Sequence, residues 1–355
     1  MFGQMMDQPL LISSILTHAA NYHSDSEIVT RTVEGPIHRY TYKDAEKRSK
    51  KMAFALKNLG VQQGDRIGTL GWNTFRHFEL YYSISGIGAI CHTINPRLFH
   101  EQISYIVKHA ADKFLFIDIT FIPIIEKLKD ELDGVEQIIL MTSKENMPDS
   151  KISFTCYEDL IDSSEEIESW PTFDEKTASS LCYTSGTTGK PKGAMLTEQN
   201  LVSNAQELIN LWNINRNDTL IHSLPIYHTH GLFVAINTSM ISGATIRFIK
   251  NFNTDSIIEA FNYSTLMMGV PTFYTRLLND KRLDKKLTQN MRLFISGSAP
   301  LLNQTFKNFY RVTGHQILER YGMTETNMNA SNPCNGERKA GSVGKPLKDI
   351  KIRIN

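Results

Sequence analysis

Short apolar runs of strand length alternate with amphipathic helical segments along most of this chain, and the connections between them are short. Thr41-Tyr-Lys-Asp44 reads as a capping box, and Met52, Ala55, Leu56 and Leu59 then recur at helical spacing until Gly60 stops the helix. Residues 65–70 read as a buried strand. Asn73 is placed to cap a helix running to about Gly86, and residues 89–94 are strand-like again. Ile103, Ile106 and Val107 share one face of a helix over 100–110, and 113–117 is a further apolar run. The rhythm breaks at 145–174, a polar stretch with Pro148, Pro171 and an acidic patch, which reads as a surface connection. It resumes with a helix over 201–212 and strands at 220–224, 245–249, 266–270 and 291–296. Such alternation predicts parallel sheets with helices on their faces. The expected fold is α/β, with two doubly wound sheet subdomains in tandem over 1–175 and 176–340.

Composition narrows the function classes. At 355 residues, roughly two or three folding units are expected. Lys and Arg total 38 against 37 Asp and Glu, a net charge of +1, so no electrostatic case exists for nucleic acid or an anionic membrane. No apolar run approaches the ~18 residues of a membrane span. The first residues lack the basic start and apolar core of a signal peptide. Cys91, Cys156, Cys182 and Cys334 are scattered singly, against a disulfide framework or a zinc site and in keeping with a reducing cytoplasm.

The richest chemistry lies in Leu181-Cys-Tyr-Thr-Ser-Gly-Thr-Thr-Gly-Lys-Pro-Lys-Gly193. Gly186, Gly189 and Gly193 let backbone amides approach an anion. Thr184, Ser185, Thr187 and Thr188 supply hydroxyl donors, and Lys190 and Lys192 neutralise charge. A surface turn rich in small residues is the plain alternative, but the density of donors directly after a strand favours a polyphosphate cradle. A Walker A loop does not fit, because Tyr183 and Thr184 stand where its first glycine would fall and Pro191 where its Ser or Thr would be. Neither a G-x-S-x-G elbow nor an H-E-x-x-H pair occurs.

Tyr-Thr-Ser-Gly-Thr-Thr-Gly-Lys-Pro-Lys-Gly resembles the phosphate loop of the adenylate-forming enzymes, the AMP-dependent synthetases and ligases. Ile295-Ser-Gly-Ser-Ala-Pro300 resembles that family's adenine-pocket turn, and Glu319-Arg-Tyr-Gly-Met-Thr-Glu-Thr326 its second signature. The resemblance implies an acyl-CoA synthetase using ATP, Mg²⁺ and CoA: a carboxylate attacks the α-phosphate to give an acyl-adenylate and pyrophosphate, and a thiol then displaces AMP. It implies that Thr184, Ser185, Gly186, Thr187, Thr188, Gly189, Lys190 and Lys192 hold the polyphosphate. Glu325, assisted by Thr184, would hold Mg²⁺, a role that suits a hard oxygen donor. Tyr321 would offer adenine a flat face and Thr324 would donate to the α-phosphate. Ser298, Ala299 and Pro300 would wall the nucleotide, with Glu319, Arg320, Gly322 and Met323 completing that pocket.

For the acid, Pro225-Ile-Tyr-His-Thr-His-Gly231 resembles the stretch bordering the acyl group, so His228 and His230, with Ser298 and Met323, are candidate acid-binding residues and His228 a catalytic one. A structural histidine at a strand end is the alternative. Gly269-Val-Pro-Thr-Phe-Tyr-Thr-Arg276 resembles malonyl-CoA synthetases, and implies that Arg276 pairs with the distal carboxylate of a buried dicarboxylate. Residues 64–73 and 92–99 instead resemble medium- and long-chain fatty-acyl-CoA ligases, whose acyl tunnel would leave Arg276 exposed and replaceable. Malonate or a similar short dicarboxylate is the expected acid, a fatty acid the alternative. Family members continue past the point where this sequence stops. Residues 341–355 read as the start of a small barrel, and the family's mobile C-terminal domain with its catalytic lysine has no counterpart here. The chain is thus either the main domain of an acid–thiol ligase or a nucleotide-binding module with little catalysis of its own.

Overall fold

The structure, a computed structural model, describes residues 5–184 and 189–353. Its first strands are β1 (Glu27–Arg31) and β2 (Ile37–Thr41), a hairpin. There follow β3 (Arg66–Leu70), β4 (Ile90–Thr93), β5 (Asp112–Ile117), β6 (Gln137–Leu140) and β7 (Thr155–Cys156). β8 (Ala178–Thr184) and β9 (Lys192–Thr197) pair antiparallel. The later strands are β10 (Thr219–His222), β11 (Thr245–Phe248), β12 (Leu266–Gly269), β13 (Leu293–Ser296), β14 (Leu318–Met323), β15 (Asn327–Ser331) and β16 (Lys345–Pro346). One sheet runs β7-β6-β5-β3-β4-β8-β9 and is parallel except for β9. The other runs β16-β15-β14-β13-β12-β10-β11-β1-β2 and is parallel from β14 to β1.

Two parallel-dominated sheets are therefore present, yet the chain does not divide between them at residue 175. The early hairpin β1–β2 adds to the edge of the later sheet, and β8–β9 close the earlier one. Local periodicity identifies a strand but says nothing about its partner, and these two hairpins cross over. The polar stretch 145–174 is more than a surface connection, since it contributes β7 and the helix Tyr157–Asp162, whose Tyr157 is fully buried. Near the end of the described residues β16 (Lys345–Pro346) is the edge strand of the open sheet, and residues 351–353 carry no strand. Among the described residues no helix is long and apolar enough to cross a membrane.

One apolar core joins the sheets. It takes Ile67, Cys91, Phe114 and Phe116 from one sheet and Ile28, Ile246 and Phe248 from the other. The helix Phe75–Gly86 lies within it, with all twelve residues buried. Thr74, not Asn73, caps this helix, accepting from His77 N at 3.3 Å. Asn73 is freed for a different task. Its amide donates to the carbonyls of Leu224 (2.7 Å) and Ile249 (3.1 Å) and accepts from Ile226 N (2.9 Å), so it fastens the end of β3 to the ends of β10 and β11.

Near the N-terminus, the buried Glu198 carboxylate accepts from Ile12 N at 2.5 Å, and its other oxygen has no partner among the described residues. Burial pushes its pKa up from 4.5 to about 8. The folded state therefore holds this proton more tightly than the unfolded chain, and the stabilisation is lost as pH rises from roughly 4.5 through 8. Glu198→Gln should remove that dependence, so its melting temperature relative to the parent rises between about pH 5 and 8.5. Parallel pH profiles in thermal denaturation would contradict it.

Candidate active site

In open α/β sheets, the crevice for a ligand lies beyond the carboxyl ends of the strands where the winding direction reverses. Both sheets have such a point, since β3 is flanked by β5 and β4, and β10 by β12 and β11. The two points face one cavity of about 450 Å³. Its walls come from the residues that follow β3 (Trp72, Asn73), β4 (Asn95, Arg97), β10 (Ser223 to His228), β11 (Lys250 to Phe252) and β12 (Val270 to Arg276). Arg97, Lys250 and Arg276 are among them, and among the described residues no carboxylate is.

A smaller chamber of about 180 Å³ adjoins it through the shared residues His228, His230 and Ser298 and continues to Arg320, Gly322, Met323 and Thr324. The histidine motif is a tight turn, with His228 N donating to Pro225 O (3.2 Å) and Gly231 N to His228 O (3.0 Å). A methyl group on Gly231 would overlap the Pro225 carbonyl, which is why glycine stands there. His222, buried below, contacts Gly231 O at 2.8 Å, and a π-helical turn, His230–Ile236, begins at the second histidine. His230 Nδ1 lies 3.4 Å from Ser298 Oγ. Ser298 itself has φ +68°, a left-handed conformation that costs a serine energy and turns its side chain toward the cavities. Desolvation first and the nearby Arg320 second lower the pKa of both His228 and His230, so both imidazoles are neutral near pH 7.

The glycine-rich segment lies between β8 and β9, where Thr184 pairs with Lys192 and its hydroxyl reaches Lys192 O at 3.5 Å. Gly189 has φ +126°, a conformation reserved for glycine. Lys190 lies over the Tyr105 ring at 5.1 Å, and Lys192 is exposed. Ser185, Gly186, Thr187 and Thr188 lie outside the described residues. Glu325 occupies the turn between β14 and β15, exposed and with no ion pair among the described residues, and lines a surface pocket with Leu196, Glu207 and Asp349 that is separate from the histidine chamber. An exposed carboxylate of this kind is a hard oxygen donor that would suit Mg²⁺.

The structure thus gathers His228, His230, Ser298, Arg320, Gly322, Met323 and Thr324 around one chamber and leaves Tyr321, Ala299 and Pro300 exposed beside it. Two expectations need correction. Arg276 is exposed, its guanidinium stacked 4.6 Å from the Phe252 ring centroid at the wall of the large cavity, and so is not a buried charge partner. Glu319 does not face the nucleotide side: its carboxylate is buried and accepts from Leu301 N at 2.8 Å, which holds the backbone just after the Ser298–Pro300 turn. Asn73, Arg97 and Lys250 escaped the sequence reading. Their one signal is position, each lying just beyond the end of a parallel strand.

A family model described as AMP-binding enzyme matches residues 16–355. The chain belongs to the AMP-binding enzyme family. This family member is 38% identical over 336 residues to the 3-methylmercaptopropionyl-CoA ligase of Ruegeria lacuscaerulensis, covering 92% of the chain and 61% of that relative. It is 34% identical over 331 residues to the medium-chain-fatty-acid–CoA ligase of Ectopseudomonas oleovorans, covering 92% and 60%. With the malonate–CoA ligase of Arabidopsis thaliana it shares 37% identity over 194 residues, 49% of the chain and 32% of that relative. The crystal structure of apo MatB from Rhodopseudomonas palustris superposes with a TM-score of 0.83 at 33% identity, over 95% of the chain and 64% of that structure. The chain spans about 60% of the length of the first two relatives.

Proposed function

We propose that the protein carrying this chain is an AMP-forming acid–CoA ligase that takes a short dicarboxylic acid such as malonate. In the first step a carboxylate oxygen bonds to the α-phosphorus of ATP while the bond to pyrophosphate breaks. In the second, the thiol sulfur of CoA bonds to the acyl carbon and AMP leaves. The chain's residues act mainly by position and charge. Lys190, Lys192 and the β8–β9 loop hold the departing pyrophosphate, Thr324 donates to the α-phosphate, and the neutral His228 and His230 border the acid. Mg²⁺, held at Glu325 with the help of Thr184, would neutralise charge developing on the phosphates.

The single observation behind the dicarboxylate reading is the cavity wall with Arg97, Lys250 and Arg276 and no carboxylate. A fatty tail gains nothing from facing cations, whereas a second carboxylate does. A neutral-tailed short acid is the second reading, supported by the 38% identity to a ligase named for 3-methylmercaptopropionate and by Leu224, Val270 and Phe273 in the same wall. Acid-dependent pyrophosphate release from the full-length protein, measured with malonate, 3-methylmercaptopropionate and octanoate, tests both. The highest kcat/KM is expected with malonate. A preference for either other acid would sink the dicarboxylate assignment, and ATP binding without release for any acid would leave a nucleotide-binding module.

A further inference from the structure

The two lysines that follow Gly189 do not lie on the same side of the sheet. The pleat of β8 and β9 shows where each of them goes. Leu181 and Tyr183 point toward the helix His100–Ala110, Leu181 packing with Ala110. Cys182 and Leu196 belong instead to the core that joins the two sheets. Thr184 lies opposite Lys192, and Tyr183 opposite Gly193. By the same alternation Thr184 and Lys192 take the inner face, the side on which Leu196 meets the pocket of Glu325. Lys190 is on the outer side, where its Nζ lies 5.1 Å from the centroid of the Tyr105 ring. Tyr105 is carried by the helix His100–Ala110, whose Ile103, Ile106 and Val107 pack with Leu115 and Ile117 in a separate core on that outer face.

Tyr105 is itself held in place. One helical turn on, the His109 ring lies 5.3 Å from it, and His109 Nδ1 is 2.7 Å from the Tyr183 hydroxyl. The Tyr183 ring covers Gly193, where a Cβ would come within 2.8 Å of Leu181 Cδ1 and 3.4 Å of Tyr183 Cζ. Beneath it, 5.1 Å away, is the ring of His92, which the buried Asp112 fixes at 2.7 Å. A line of side chains thus runs from the interior to the ring on which Lys190 rests. A lysine that serves only to meet phosphate gains nothing from a ring on the far face. One that anchors the chain does, because the attraction between an ammonium and a ring persists at a partly exposed site.

We infer that Tyr105 is a positioning residue for nucleotide binding: it holds Lys190 on the outer face, and so fixes where β9 begins and where Lys192 stands on the inner one. This rests on the ligase reading above and divides the work of its two lysines. Lys192 meets the pyrophosphate, and Lys190 anchors the strand that carries Lys192.

The test measures Mg·ATP binding by calorimetry and malonate-dependent pyrophosphate release in the full-length protein. It compares the parent with Tyr105→Leu, Tyr105→Phe, Lys190→Ala, Lys192→Ala and the double variant of Tyr105→Leu with Lys190→Ala. Tyr105→Leu and Lys190→Ala should each weaken ATP binding roughly 5-fold, in Kd and in KM for ATP, and the double variant should be no worse than either. Tyr105→Phe keeps the ring face and should restore the affinity of the parent. Lys192→Ala should cut kcat, whereas in Lys190→Ala the loss falls mainly on KM. Multiplying losses in the double variant, or a Tyr105→Phe as weak as Tyr105→Leu, overturn the inference by making Tyr105 a merely structural residue. A kcat loss in Lys190→Ala equal to that in Lys192→Ala also overturns it, by putting Lys190 on the phosphates. If the parent binds ATP but releases pyrophosphate with no acid, the ligase reading fails, and the pattern of calorimetric Kd values alone decides the inference. Should Tyr105→Leu not fold, a Lys190→Ala variant with the parent's affinity for ATP overturns it.

Discussion

Glu325→Gln is expected to lower acid-dependent pyrophosphate release by roughly 100-fold or more while leaving the fold untouched. The two halves of this expectation have separate causes. The side chain is exposed in the turn after β14 and takes part in no ion pair among the described residues, so the neighbouring structure does not depend on its charge. In the proposed mechanism what depends on it is Mg²⁺, for which an amide oxygen is a far poorer partner than a carboxylate. The measurement pairs steady-state pyrophosphate release in the full-length protein with a thermal melt of the same sample. An unchanged melting temperature with a large loss of rate, partly restored by raising Mg²⁺, supports the assignment. Wild-type turnover would move the metal to another residue, and a fallen melting temperature would make Glu325 a structural residue.

The residues proposed for the site could be named before the fold was known, because they come in contiguous motifs. Ser298 and Ala299 form a bend just after β13, and Tyr321 to Glu325 run from the end of β14 into the turn before β15, and local sequence specifies such turns well. The same holds for elements set by local signals. The helix His100–Ala110 begins and ends where its periodicity does, and the Thr41–Asp44 capping box makes both of its bonds. Long-range choices were not legible. Nothing in Glu27–Arg31 announces that it pairs with Thr245–Phe248. Whether an arginine is buried is likewise a property of what surrounds it. Arg276, on a helix packed through Tyr274 and Leu277, is left at the surface, while Arg320, in the middle of a signature motif, is sealed under Gly297. Asn73 was read as a cap because caps are the commonest use of Asn before a helix. Thr74 took that role, and the three carbonyl and amide groups that Asn73 satisfies belong to strands some 150 residues away or more.

The largest loss of stability is expected from Arg48→Met, about 3–5 kcal/mol, because it strands a carboxylate that has no access to water. Glu79 lies on the fully buried helix Phe75–Gly86 with none of its side chain exposed. Its Oε1 accepts from Arg48 Nε at 2.7 Å and its Oε2 from the Tyr157 hydroxyl at 2.8 Å. Arg48 also reaches Glu158 at 2.9 Å, Glu158 binds Arg76 at 2.6 Å, and Arg76 binds Glu34 at 2.8 Å. This network ties the helix Tyr42–Asn58, the central helix, the helix Tyr157–Asp162 and the β1–β2 hairpin into one unit, and so holds the crossed-over hairpin against the earlier half of the chain. Phe75 packs near both guanidiniums, 5.3 Å from that of Arg48 and 4.6 Å from that of Arg76. Burial already raises the Glu79 pKa, with Arg48 the main opposing influence. Without Arg48 the folded state would bind that proton more tightly still, so the deficit should grow as pH rises through the Glu79 titration and shrink in acid. Adding Glu79→Gln to Arg48→Met removes the stranded charge, and the double variant should recover part of the loss, a coupling that a double-mutant cycle in urea measures directly. Independent, additive effects would mean that Arg48 contributes through its packing against Phe75, and that the buried pair is electrostatically neutral in its net effect on the fold.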